Sequence, residues 1–212
     1  MILTEIPLEQ VPDALAAVRA RLPAGMARAV LDRLAATLEL VPLGVDLPEH
    51  RAAGVELAQR FGIGTVDEEP AAAFSWDGRA IRTRSEAYVL IHEVAHWLVC
   101  PPERRHLYDF GLGAGPESGR VAEADAHLAA DLDTRIEEEA LASLLGILWE
   151  VELGQPAIMA FLEQNWLEGW DRPACAENLA RNLELLHARG LIRADGRPVA
   201  PETFTVKRAA AV

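Results

Sequence analysis

Apolar residues recur along most of this chain with the period of a helix. Alanine, leucine and valine return every three or four positions over residues 12–21 and 26–40, and Pro23 and Gly25 break the run. The same spacing predicts a helix over 48–61, closed by Gly62. The pattern then shortens. Residues 71–83 place short apolar runs on either side of Asp77-Gly78, and an Asp-Gly pair so flanked predicts a β-hairpin. Ser85 next stands where it can cap a strongly apolar helix that reaches about Cys100, where Pro101 and Pro102 stop it. Residues 106–119 carry no period and read as a surface loop. Gly111, Gly113 and Gly115 follow no strand of a βαβ unit, so they do not predict a nucleotide-binding turn. An acidic, alanine-rich helix is expected over 121–133, a longer one over 134–153, and two more over 156–164 and 173–189. The prediction is an α+β fold, mostly α, in a single domain. It has a helical part at 1–70, a core at 71–156 and a helical C-terminal part at 157–212.

Composition narrows the function. The 212 residues are 50% hydrophobic, enough for a substantial core. No run of about eighteen uncharged apolar residues occurs, so no membrane span is expected. Acidic residues number 33 against 20 basic ones, a formal charge of −13, which disfavours general nucleic-acid binding. Residues 1–10 hold two glutamates and no basic residue, unlike a secretory signal. Cys100 and Cys175 form neither a CxxC nor a disulfide framework, and the expected address is the reducing cytoplasm. Lys207 is the one lysine. A P-loop, a Schiff base or a lysine general base in the core is therefore excluded.

The informative stretch is AYVLIHEVAHWL, residues 87–98. It contains His92-Glu93-Val94-Ala95-His96, an HExxH motif. Residues four apart share one face of a helix, so both imidazoles can reach one metal ion. Glu93 lies about 100° round the helix from His92, within reach of a metal-bound water. Its neighbours are apolar, and a buried helix must satisfy or neutralise such polar groups. Metal ligation does so; two ordinary, partly buried histidines are the plainer alternative.

A third ligand must come from elsewhere. Val99 and Pro102 occupy the positions where a metzincin continuation needs glycine and histidine, which excludes that class. Asp109, Glu123, Asp125, His127, Glu137, Glu138 and Glu139 are the downstream candidates. The segment from Glu139 resembles the second metal-binding helix of gluzincin metallopeptidases: a glutamate, a short polar residue at Ser143 and a glycine at Gly146. These three share a helix face, and the glycine lets two site helices approach closely. Glu137 and Glu138 read most simply as a solvated first turn. The expected core is thus HExxH metalloprotease-like. Two histidines and a carboxylate leave coordination positions open, as in a catalytic zinc site or a non-haem Fe(II) site, and the ligand types do not separate the two. With zinc, Glu93 would be the general base; with iron, it would orient substrate or ligands.

The flanks add a resemblance. His92-Glu93-x-Ala95-His96-Trp97, then Arg104-Arg105, then Asp109-Phe110-Gly111, then residues 116–120 (PESGR) resemble the elongation factor P hydroxylase family. Those bacterial enzymes hydroxylate the modified lysine of elongation factor P. The likeness covers about residues 75–156 and continues to Glu139 and to Gly154-Gln155-Pro156. It implies His92, His96 and Glu139 as ligands of Fe(II), O₂ as co-substrate, and a protein side chain or related amine as substrate. An acidic protein such as elongation factor P would be the partner. The acidic segment 121–133 departs from the family as an insertion, and Leu112-Gly113-Ala114-Gly115 replaces an aromatic-cysteine stretch.

Arg104, Arg105 and Asp109 have two readings: a favourable helix end with a surface turn, or a substrate-binding mouth. Arg79, Arg82, Arg84, Arg104 and Arg105 face three glutamates between 79 and 105, so a locally basic mouth is expected despite the overall charge. His106 and His127 read as surface histidines, Trp76 and Trp97 as core, and Cys100 as a buried structural thiol.

Overall fold

The computed structural model describes residues 6–70, 75–113 and 121–202. In chain order its elements are α1 (Val11–Arg21), α2 (Met26–Ala36), α3 (Pro48–Arg60), β1 (Gly64–Val66), β2 (Ala80–Arg82), α4 (Ala87–Val99), α5 (Val121–Ala126), α6 (Leu132–Glu152), α7 (Ile158–Glu163) and α8 (Pro173–Ala188). The protein is mostly helical with one small sheet, as its apolar period predicts. No helix of the described residues is long and apolar enough to cross a membrane.

The residues separate into two compact units, Met1–Val45 with Ile147–Val199, and Asp46–Gly146 with Ala200–Val212. These boundaries differ from the divisions at 70 and 156 that the sequence suggests. In the first unit α1 packs on α2 and α8. Val11, Ala14 and Val18 of α1, Val30, Leu31 and Leu34 of α2, and Leu179, Leu183 and Leu186 of α8 are all buried there. Thr37 closes part of this core: its hydroxyl donates to the Leu34 carbonyl at 2.7 Å and accepts the Ile158 amide at 3.0 Å.

The second unit is built on α3 and α4. Leu90, Ile91, Val94 and Ala95 of α4 are fully buried. Each larger apolar side chain contributes roughly 1.5–3 kcal/mol on leaving water. This burial, rather than helix propensity, holds a segment rich in β-branched residues helical. The helix ends where Cys100 turns extended ahead of Pro101, the conformation a following proline favours.

Three local expectations are corrected. Ser85 does not cap α4. The Asp46 carboxylate accepts the Ala87 amide at 2.9 Å instead, and Ser85 Oγ is buried without a hydrogen-bond partner among the described residues. The predicted hairpin is only partly present, and residues 71–74 lie outside the described ones. The Asp77-Gly78 turn forms: Asp77 Oδ1 accepts the amides of Arg79 and Ala80, and Trp76 bridges Ile81 antiparallel. The main partner of β2, however, is β1, parallel, with Thr65 opposite Ile81. A local turn signal carries no information about a strand that precedes it by more than ten residues. Finally, the segment 121–133 is not one helix. Ala129 and Ala130 donate their amides to the Gly111 carbonyl at 2.9 and 3.2 Å, which breaks the helix. Asp131 then caps α6 through the Thr134 amide at 2.8 Å.

Candidate metal centre

The HExxH residues lie on α4 as the spacing requires. The His92 and His96 rings meet edge to face with centroids 4.5 Å apart. Glu139, on the first half of α6, reaches both: Oε1 is 3.2 Å from His92 Nε2, and Oε2 is 3.2 Å from His96 Nε2. Among the described residues these are the three side chains whose donor atoms all lie within 4.8 Å of one another. His96 is nearly buried, His92 partly so, and 60% of the Glu139 side chain is open to solvent. The centre therefore has an inner wall and one accessible side.

Gly146 explains how α4 and α6 come close enough. A Cβ built at Gly146 would stand 3.3 Å from His92 Cα and 3.5 Å from its amide nitrogen. The first approach is tighter than ordinary contact, and both atoms met are backbone. The Glu139, Ser143 and Gly146 stripe read from the sequence thus corresponds to the face of α6 that meets the HExxH helix.

Electrostatics around the three groups is uneven. Partial desolvation of the Glu139 carboxylate disfavours its charge, but His96 and His92 outweigh this and hold it well below the usual carboxylate range. Glu93 goes the other way. Burial pushes it up to about 8, with Asp109 and Glu139 adding and His96 opposing. Its Oε2 is buried and has no hydrogen-bond partner among the described residues, and the same is true of His92 Nδ1. Asp109 is also raised, by burial first and then by Glu139, against His96 and His92. A site with two imidazoles facing one carboxylate, and two more carboxyls nearby that resist ionisation, is short of positive charge. Two neutral imidazoles and a carboxylate are the donor types of divalent zinc and iron sites, and a dication would supply the missing charge. The residues therefore fit a metal.

Other expected positions take different places. Glu138 is not a solvated first-turn residue. It is 4% exposed, and its Oε1 accepts a hydrogen bond from Arg104 Nη2. Arg104 Nη1 donates to the Phe110 carbonyl at 3.1 Å. Arg105 lies over the Trp97 ring, 3.8 Å from its centroid, and its Nε donates to the Cys100 carbonyl at 3.2 Å. Both guanidiniums are thus engaged by groups of the protein itself. Asp109 does lie within electrostatic reach of the centre. Its backbone, with φ 45°, and that of Phe110, with φ 53°, are left-handed. Cys100 is buried, and burial pushes its thiol up to about 12, as suits a structural cysteine. His127 lies against Tyr108.

Two neighbours of the site take places that the sequence did not assign them. Phe110 stacks on His96, with centroids 5.5 Å apart and planes 18° from parallel. Glu138 was legible in principle: with Ala142, Leu145 and Trp149 it follows the buried stripe of α6.

Comparison with protein-family models, with curated proteins and with solved structures gives no match.

Proposed function

We propose that this chain is a metal-dependent enzyme whose His92, His96 and Glu139 hold one divalent ion. We further propose that it is an Fe(II) hydroxylase, acting with O₂ on a protein side chain or related amine in the manner of the elongation factor P hydroxylases it resembles. The observation that carries the reading is convergence. Separate segments behind the resemblance are linked at one place: HExAHW on α4 meets Glu139 of α6 and Phe110 of the Asp109-Phe110 turn, and Arg104 joins that turn to Glu138. Scattered chance matches have no reason to meet at one place.

When bound, Fe(II) would supply redox chemistry with O₂, and Zn²⁺ would supply a Lewis acid. The chain's own contribution is positional. His92 and His96 present Nε2 atoms from one helix face, and Glu139 closes the set from a second helix. The solvent-open side at Glu139 is where substrate would enter. In a hydroxylation one oxygen atom enters a C–H bond. The other leaves as water, with two electrons and two protons from an external donor. Glu93 beside His96 would orient substrate or exchange a proton at its free Oε2. An acidic protein partner and a cytoplasmic address remain part of this proposal, but Arg104 and Arg105 lend the partner no support.

One observation favours a second reading, a gluzincin-like zinc metallopeptidase. Glu93 adjoins His92 on the HExxH helix and its buried Oε2 has no hydrogen-bond partner among the described residues, so with zinc bound it would be placed to take a proton from a metal-bound water. Oxygen uptake separates the two. Iron-loaded protein given amine-bearing peptides should consume O₂. Peptide hydrolysis with zinc and no oxygen uptake would replace the hydroxylase reading with the hydrolase one. In that case Glu93→Gln should abolish hydrolysis with metal retained.

A further inference from the structure

Phe110 is fully buried, and its ring stacks with two others. The Trp76 centroid is 5.2 Å away, at 3° from parallel, and the His96 centroid is 5.5 Å away, at 18°. The stack is tied down at its backbone. Trp76 Nε1–H donates to the Arg105 carbonyl at 2.9 Å, and the Asp109 amide donates to the Trp76 carbonyl at 3.3 Å. The Phe110 carbonyl accepts from Arg104 Nη1 at 3.1 Å, and the other arm of that guanidinium holds Glu138. Glu138 is the residue before Glu139. One arginine therefore connects the ring behind a histidine of the site to the helix turn that carries the carboxylate of the site.

Two further facts show that this arrangement is held against resistance. Asp109 and Phe110 are consecutive non-glycine residues in left-handed conformation, which L side chains rarely adopt. Glycines stand nearby at 111 and 113, yet the strained position carries a phenyl ring. Glu138 is buried and Arg104 largely so, at 5% and 12% side-chain exposure, where an ion pair stabilises little by itself. Its value there is to fix geometry. Arginine suits the task because its planar fork reaches two acceptors in set directions.

We infer that Phe110 and Arg104 are positioning residues of the metal centre. Phe110 fixes the plane of the His96 imidazole, and Arg104 locks that stack to α6 so that Glu139 and His96 face the same point. Arg104 acts through Phe110 and Glu138 and does not contact substrate. The inference rests on reading His92, His96 and Glu139 as a metal centre, and it deepens that reading.

The test is metal binding by the full chain, with Zn(II) for affinity and Co(II) for the visible spectrum. Phe110→Leu removes the ring and keeps an apolar side chain. The double variant Arg104→Met with Glu138→Met removes both buried charges together, so neither is left unpaired. Phe161→Leu alters a fully buried phenylalanine of the other unit and serves as control. Wild type and Phe161→Leu should bind one ion with the same cobalt spectrum. Phe110→Leu and the double variant should stay folded by circular dichroism, bind Zn(II) about 10- to 100-fold more weakly, and show a shifted cobalt band. If the double variant does not fold, Phe110→Leu decides alone. Wild-type affinity and an unshifted band in Phe110→Leu would overturn the inference and leave the metal centre standing. If the wild type binds neither ion, the metal-centre reading and the inference fail together.

Discussion

The two ends of α6 treat buried acid in opposite ways. Toward its start, Glu138 is buried against Arg104, and Glu139 faces His92 and His96, which hold its carboxylate charged. Toward its end, Glu150 is equally buried, but burial and the neighbouring carboxylate of Glu163 both oppose its charge, and its pKa is raised well above the ordinary value. One helix thus carries a carboxyl whose charge its partners favour, Glu139, and one whose charge its surroundings oppose, Glu150. Burial alone does not mark a functional carboxylate; what faces it does. The first end belongs to the one three-donor cluster found among the described residues, and the second does not.

The sharpest way to break this comparison is to give the first end the condition of the second. Arg104→Met leaves Glu138 buried beside an apolar side chain. Removing one partner of a buried pair costs about 3–5 kcal/mol. Chemical denaturation should show that loss, and adding Glu138→Met should recover much of it.

Gly146→Ala disturbs the approach that brings α4 to Glu139. A methyl group pressed on the His92 backbone is an overpacking change that costs about 1–3 kcal/mol, with weaker metal binding alongside. The measurements are denaturation and Zn(II) titration.

Glu150→Gln sharpens the other end. The sign follows from a folded-state pKa that is raised. The folded protein keeps the proton longer than the unfolded chain, so the contribution is full below the ordinary glutamate pKa. It is lost as pH rises toward the folded-state value. Stability should therefore fall from about pH 5 upward, by at most ~1.4 kcal/mol per pH unit. In Glu150→Gln that component of the decline should vanish in denaturation curves taken across pH.

Asp46→Ala should have the smallest effect of the four. It removes a carboxylate that accepts a helix N-terminal amide, worth about 1 kcal/mol of cap. Ser85→Ala, at the position the sequence suggested, should lose less in the same thermal melts.

The helices and the three donor residues were legible in the sequence because both follow from one local period. Four-residue spacing puts His92 and His96 on one face, and seven-residue spacing puts Glu139 and Gly146 on another. What was not legible depended on partners distant in the chain. Asp46 caps a helix 41 residues on, and β1 pairs with β2 across an intervening segment. Arg104 finds Glu138, 34 residues away, a pairing that no local pattern in the chain announces. Phe110 illustrates the same limit. Nothing local tells a phenylalanine in a glycine-rich loop that it will lie against a histidine of the site.

The central claim is that His92, His96 and Glu139 hold a metal ion, and metal content of the purified full chain tests it most directly. Iron and zinc should be counted separately, in the wild type and in His96→Ala and Glu139→Ala. The account predicts close to one ion per wild-type chain and loss of that ion in both variants while they remain folded. A wild-type chain that holds no stoichiometric metal after exposure to Fe(II) and Zn(II), or variants that hold as much as the wild type, would contradict it.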